Sequence, residues 1–109
     1  MSVKRIAQVI GIRPQDIEEY ERIHADVWPS VLATIKKANI QNYSIFRYEH
    51  LLFAYMEYTG TDHESDMKSI AADPETQRWW KITDPMQSQV PESRPGEWWH
   101  VIPENFHVD

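Results

Sequence analysis

The sequence predicts an α+β domain of the split β-α-β, ferredoxin-like kind: one antiparallel sheet with helices on one face. Three observations point there. Runs rich in branched and aromatic residues read as strands, and apolar residues recurring at steps of three and four read as helices. The two kinds follow one another as β-α-β-β-α-β. The length, 109 residues with 41% hydrophobic and 26% charged, suits one domain over 1–109. A chain this long buries roughly 65% of its unfolded surface, enough for a single core.

Taking the elements in order, Lys4 to Ile12 reads as the first strand. Arg13-Pro14 ends it, because proline pushes its predecessor to extended geometry. Ile17, Tyr20, His24, Val27, Val31 and Ile35 share one helix face. Pro29 interrupts that face, either as a kink near Asp26 or as the first residue of a second helix. The helix is expected to end near Asn39, a residue type that tolerates left-handed geometry. Ile40 to Tyr48 and Leu51 to Tyr58 flank the short Glu49-His50 gap and predict an antiparallel hairpin. Thr61-Asp62-His63-Glu64 matches a capping box, so a helix starts there and runs to about Ala72. Asp73-Pro74 opens the next, with Asp as cap and Pro in the first turn. That helix carries Trp79 and Trp80 and ends near Asp84-Pro85. A polar loop over 87–96, a last strand from Glu97 to Ile102 and a tail complete the chain.

Composition excludes several classes. With no cysteine, a disulfide framework, a thiolate zinc site and a cysteine nucleophile are all ruled out. Three glycines do not make a glycine-rich phosphate loop. A net charge of -6 argues against nucleic acid and anionic lipid as partners. No apolar run approaches the roughly 20 residues of a membrane span, and no signal-peptide core opens the chain. A soluble cytoplasmic protein is the expectation. The hairpin is apolar on both parities, with Phe53 and Tyr55 on one face and Ala54, Met56 and Tyr58 on the other. Helices cover only one face, so the other is expected to meet a partner, most simply a second copy in a sheet-to-sheet homodimer.

Candidate chemistry centres on a few side chains. The five histidines show no metal-ligand spacing, so no metal is expected. Four of the five tryptophans come as the pairs Trp79-Trp80 and Trp98-Trp99. Adjacent residues on a helix or strand point in different directions, so one ring of each pair faces a cavity, an interface or the surface. An aromatic core with a subunit interface and a ligand pocket both fit. Tyr20 and His24, four apart, share the inward helix face. An interior histidine can be a satisfied core residue, but beside a tyrosine and a tryptophan-rich cavity it can also give and take a proton near neutral pH. Tyr43 either points into the same space or forms a cross-strand aromatic pair. Aromatic faces with neutral hydrogen-bonding groups suit a small uncharged polyol such as a sugar.

The sequence also resembles the L-rhamnose mutarotases. The likeness lies in Glu19-Tyr20-Glu21-Arg22-Ile23-His24, Val27-Trp28-Pro29, Asn42-Tyr43-Ser44-Ile45, Leu51-Leu52-Phe53-Ala54 and Gln77-Arg78-Trp79-Trp80-Lys81, over roughly residues 5 to 86. It implies a ferredoxin-like fold assembled as a dimeric α+β barrel, and interconversion of the α and β anomers of a 6-deoxyhexose. His24 falls on the family's proton donor, and Tyr20, Tyr43, Trp79 and Trp80 fall on its sugar-contacting residues. No metal or organic cofactor is implied. Two departures stand out. Asp26 replaces a proline common in the family, and the family's Asn-Pro-rich loop beyond Pro85 is missing. Here 87–96 lead into Glu97-Trp98-Trp99-His100 instead, a feature similar to a branch associated with L-fucose. The competing expectations are a cofactor-free dimeric α+β-barrel monooxygenase and a non-catalytic sugar-binding dimer, since fold alone does not choose among them.

Overall fold

The computed structural model describes residues 3–109. Strand β1 (Lys4–Ile12) leads through a 3-10 turn at Pro14–Asp16 into α1 (Ile17–His24) and α2 (Pro29–Lys37). The hairpin β2 (Ile40–Tyr48) and β3 (Leu51–Tyr58) follows, then α3 (His63–Ala72) and α4 (Pro74–Thr83). After a second 3-10 turn at Asp84–Met86 come β4 (Gln87–Ser88) and β5 (His100–Ile102). The sheet runs β2-β3-β1-β4, with β5 also paired to β1, and every pair is antiparallel. This is the split β-α-β order the sequence predicts.

Of the two readings of Pro29, the second holds: it opens α2 with Trp28 as N-cap. Its ring suits the first helical turn, where the missing N–H costs nothing. Other local expectations are corrected. The cap of α3 is Asp62, whose carboxylate accepts from the Ser65 N–H, rather than Thr61. Asp73 does cap α4, accepting from both the backbone N–H and the hydroxyl of Thr76. The last strand begins at His100, three residues later than predicted. The Glu97 carboxylate accepts from the backbone N–H groups of Arg94 and Val101 and folds the chain into a turn there. The expected polar loop begins with the short strand β4, paired through Gly11↔Ser88 and Ile12↔Gln87.

The pleat sorts the side chains. Ile6, Ile10 and Ile12 of β1 and Leu52, Ala54, Met56 and Tyr58 of β3 are buried, and the register sets Ile6 opposite Met56 and Ile10 opposite Leu52. One cluster packs Ile6, Ile40, Met56 and Tyr58 under Ile35, Met67 and Ile70 of the helices. The other packs Ile10, Ile12, Leu52 and Tyr20 with Trp99 and Met86. The opposite face carries Val9, Phe53, Tyr55, Phe46 and Tyr48, and among the described residues no helix covers it. Phe46 and Tyr48 there are 61% and 69% exposed.

Candidate active site

Helix α1 projects Tyr20 and His24 from one face, as the four-residue spacing requires. Tyr20 is buried and His24 half-buried. Their rings stack with centroids 4.0 Å apart. The Nδ1 of His24 lies 2.8 Å from the carbonyl oxygen of Tyr20. A carbonyl only accepts, so Nδ1 carries the hydrogen and Nε2 keeps a lone pair in the neutral ring. Burial lowers the His24 pKa below its ordinary 6.5, against a smaller raising effect of that backbone hydrogen bond. The resting imidazole is therefore neutral at pH 7.

Trp79 of α4 meets the His24 ring edge-on at 5.3 Å, and Trp28 meets Trp79 at 5.1 Å. Trp28 reaches that position because the chain breaks between α1 and α2. The imidazole is thus held from both sides, by Tyr20 and by a buried indole. In front of α1 lies a cleft of about 250 Å³ between the helix and the β2–β3 hairpin. Tyr20, His24, Ile45 and Leu52 line it, and the Glu21–Arg47 ion pair (2.7 Å) stands at its rim.

The hydroxyl of Tyr20 accepts a hydrogen bond from Gln87 Nε2 at 3.2 Å. Gln87 Oε1 in turn accepts from the Trp98 indole at 2.7 Å. Burial raises the Tyr20 phenol to about 12, opposed by the Gln87 bond and aided by Tyr43 and Asp84 nearby. Tyr43 sits in the bulge where β2 shifts register between Gln41 and Ser44. It is 39% exposed, and desolvation lifts its phenol to about 12.

Of the residues singled out in the sequence, His24 touches both Tyr20 and Trp79, and Tyr43 is close enough to influence Tyr20. Trp80 is 38% exposed and joins none of the ring contacts described here. Neither it, Trp79 nor Tyr43 lines the cleft. Sequence reasoning missed Gln87, Trp28 and the role of Trp98. Trp28 had a signal in the Trp-Pro junction that starts α2. Gln87 had none, because a glutamine in a polar stretch reads as solvated. Among the described residues, no three His, Asp or Glu side chains gather where an ion could be held.

A neutral imidazole with one free nitrogen, a phenol that keeps its proton and two indoles lie together on a split β-α-β sheet, a set of groups able to exchange protons with an uncharged molecule. Comparison with known proteins gives the family. A family model described as L-rhamnose mutarotase matches residues 5–108. An L-rhamnose mutarotase of Oceanobacillus iheyensis is 30% identical, over 98% of this chain and 100% of its own. One from Shigella flexneri is 32% identical, over 84% of this chain and 86% of its own. The crystal structure of an L-rhamnose mutarotase from Formosa agariphila superposes with a TM-score of 0.75 over 97% of this chain and 99% of that one, at 19% identity, a likeness of fold. The chain belongs to the L-rhamnose mutarotase family, and its activity class is that of an isomerase interconverting sugar anomers.

Proposed function

We propose that this chain interconverts the α and β anomers of L-rhamnose, with His24 as the proton-transferring group. The observation that carries the reading is the His24 ring itself: Nδ1 is pinned to the Tyr20 carbonyl, and the ring lines the cleft with Nε2 as its free nitrogen. Opening a pyranose removes the proton from the anomeric hydroxyl, breaks the C1–O5 bond and places a proton on O5. Rotation about C1–C2 and closure on the other face reverse those transfers. O1 and O5 are bonded to the same carbon, so one nitrogen can serve both. His24 Nε2 takes the O1 proton and delivers it to O5, and the same atom works in reverse on closure. A lone base of this kind is regenerated at the end of each cycle.

Tyr20 holds a sugar hydroxyl in this reading, and Trp79 backs His24. Tyr43 and Trp80, which do not line the cleft, would reach the sugar only where it extends beyond it. A homodimer formed through the open sheet face is part of the same proposal, supported by the aromatic residues left uncovered there. We place the reaction in the cytoplasm on composition, since a cysteine-free chain gains no disulfides from an oxidising compartment. Among the described residues, no helix is long and apolar enough to cross a membrane.

L-Fucose is the second reading. It is favoured by the segment that departs from the family, because Trp98 in that segment is hydrogen-bonded through Gln87 to Tyr20. NMR exchange between anomers at equilibrium, with the two sugars in parallel, tests both. Protein-dependent exchange of L-rhamnose faster than that of L-fucose is expected. The reverse order reassigns the substrate, and no acceleration of either sinks the reading.

A further inference from the structure

We propose that Gln87 is a positioning residue that makes the Tyr20 hydroxyl a hydrogen-bond donor toward the sugar, and that Trp98 locks Gln87 in the orientation this requires. The inference rests on the reading of the Tyr20–His24 cleft as the sugar site. It starts from a one-sided group. An indole N–H can only donate, so the Trp98 contact at 2.7 Å must fall on the amide oxygen of Gln87. The amide nitrogen then faces the Tyr20 oxygen at 3.2 Å, and it too can only donate. The Tyr20 oxygen therefore accepts, and its single proton is not used on Gln87. Turning the amide over would set its NH₂ against the indole N–H, so the direction of the relay is fixed by chemistry.

Burial keeps the Tyr20–Gln87 end of the relay free of competing water, with Gln87 8% and Tyr20 3% exposed, while Trp98 at the outer end is 41% exposed. The phenol, pushed up to about 12, keeps its proton throughout the working pH range. That proton is free for a ligand in the cleft that Tyr20 lines. The reaction needs such a group. The ring oxygen of the closed sugar and the carbonyl oxygen of the open one can both only accept. A phenol of fixed direction can serve the acceptor oxygen in either form, whereas one free to turn would present a lone pair part of the time. Two features hold the relay in place. The pairing Ile12↔Gln87 anchors β4 on the sheet, and Glu97 fixes the turn before β5.

The test combines substitutions with Tyr20→Phe. In the otherwise unchanged protein, Gln87→Met and Trp98→Phe each slow anomer exchange by roughly 3- to 10-fold, the worth of one neutral hydrogen bond, chiefly in kcat. In the Tyr20→Phe background the same substitutions change the rate by less than about 2-fold, because the hydroxyl they direct is gone. Equal losses in both backgrounds assign Gln87 to packing and overturn the proposal, and so does the absence of loss in either. The ¹⁵N–¹H side-chain spectrum of sugar-free protein separates the relay from the reaction. Tyr20→Phe keeps the ring and removes only the hydroxyl, so it shifts the Gln87 amide protons. Unmoved protons overturn the relay whatever the activity. Shifted protons in a chain that accelerates neither sugar uphold the relay and count against the reaction instead.

Discussion

At His24, burial and a hydrogen bond act on the same ring in opposite senses. Burial is the larger and lowers the pKa, while the contact from Nδ1 to the Tyr20 carbonyl raises it. The base form is the working form, so its pH dependence has a definite sign. Activity should hold at neutral pH and above, and fall only as pH drops through the folded-state pKa, which lies below the ordinary 6.5. Replacing the ring by His24→Gln, which keeps a polar group at the site, should slow anomer exchange by about 10²- to 10⁴-fold, the usual worth of general acid–base catalysis. A rate within 2-fold or so of the unsubstituted protein, about the noise of such comparisons, would remove His24 from the chemistry. The Tyr20–His24 pair was legible in the sequence because helical spacing alone puts residues four apart on one face. Gln87 was not legible. Its burial depends on a two-residue strand pairing with β1, seventy-odd residues earlier, and no local pattern announces such a pairing.

Elements carried by local rules were read closely. β1, β2 and β3 begin and end where their composition predicts, because alternation, a proline and a two-residue turn are all local signals. The short strands at the C-terminal end were not. The sequence of β4 reads as loop, and β5 is shorter than its composition predicts, since both depend on a neighbour rather than on propensity. Gly11 shows that dependence. A Cβ there would lie 2.7 Å from the Ser88 carbonyl oxygen, so β4 approaches β1 only because the side chain is missing. Gly11→Ala should cost about 1–3 kcal/mol and displace Gln87 along with Ser88. Urea unfolding measures the first effect and the Gln87 side-chain resonances the second; an unchanged midpoint would contradict the close approach. Glu97 offers a pH test on the neighbouring turn. Three hydrogen bonds, the first and largest from the Arg94 N–H, hold its carboxyl down to about 2, from an ordinary 4.5. A depressed carboxyl contributes stability that is present above 4.5 and lost as pH falls toward 2. Protection of the Val101 amide from hydrogen exchange should weaken across that window, and Glu97→Gln should remove the dependence.

On the scale of the whole molecule, the sheet has a covered face and an open one. Helices α1 to α4 bury Ile6, Ile10, Leu52, Ala54 and Met56. Phe53, Val9, Phe46 and Tyr48 stand on the other side, with register neighbours Val9↔Phe53 and Phe46↔Phe53 forming a continuous apolar row across three strands. Monomeric proteins rarely leave so contiguous an apolar row to water. The proposed twofold pairing of these faces would close the assembly without leaving a further sticky surface. Such an interface has a centre and a rim, and the two should respond differently. Phe53 lies on a central strand, so Phe53→Glu would bury a charge from each protomer against the other, which dimers do not tolerate unpaired. Tyr48 lies beside the hairpin turn and is 69% exposed, so Tyr48→Glu places its charge at the rim, where water still reaches and the effect is small. Sedimentation equilibrium should therefore find twice the 12.9 kDa chain mass for the unsubstituted protein and for Tyr48→Glu. Phe53→Glu should fall to the chain mass while keeping its far-ultraviolet circular dichroism, because its side chain points away from the helix-covered core. A monomer before any substitution, or a dimer that survives Phe53→Glu, would mean that something other than a second sheet meets this face.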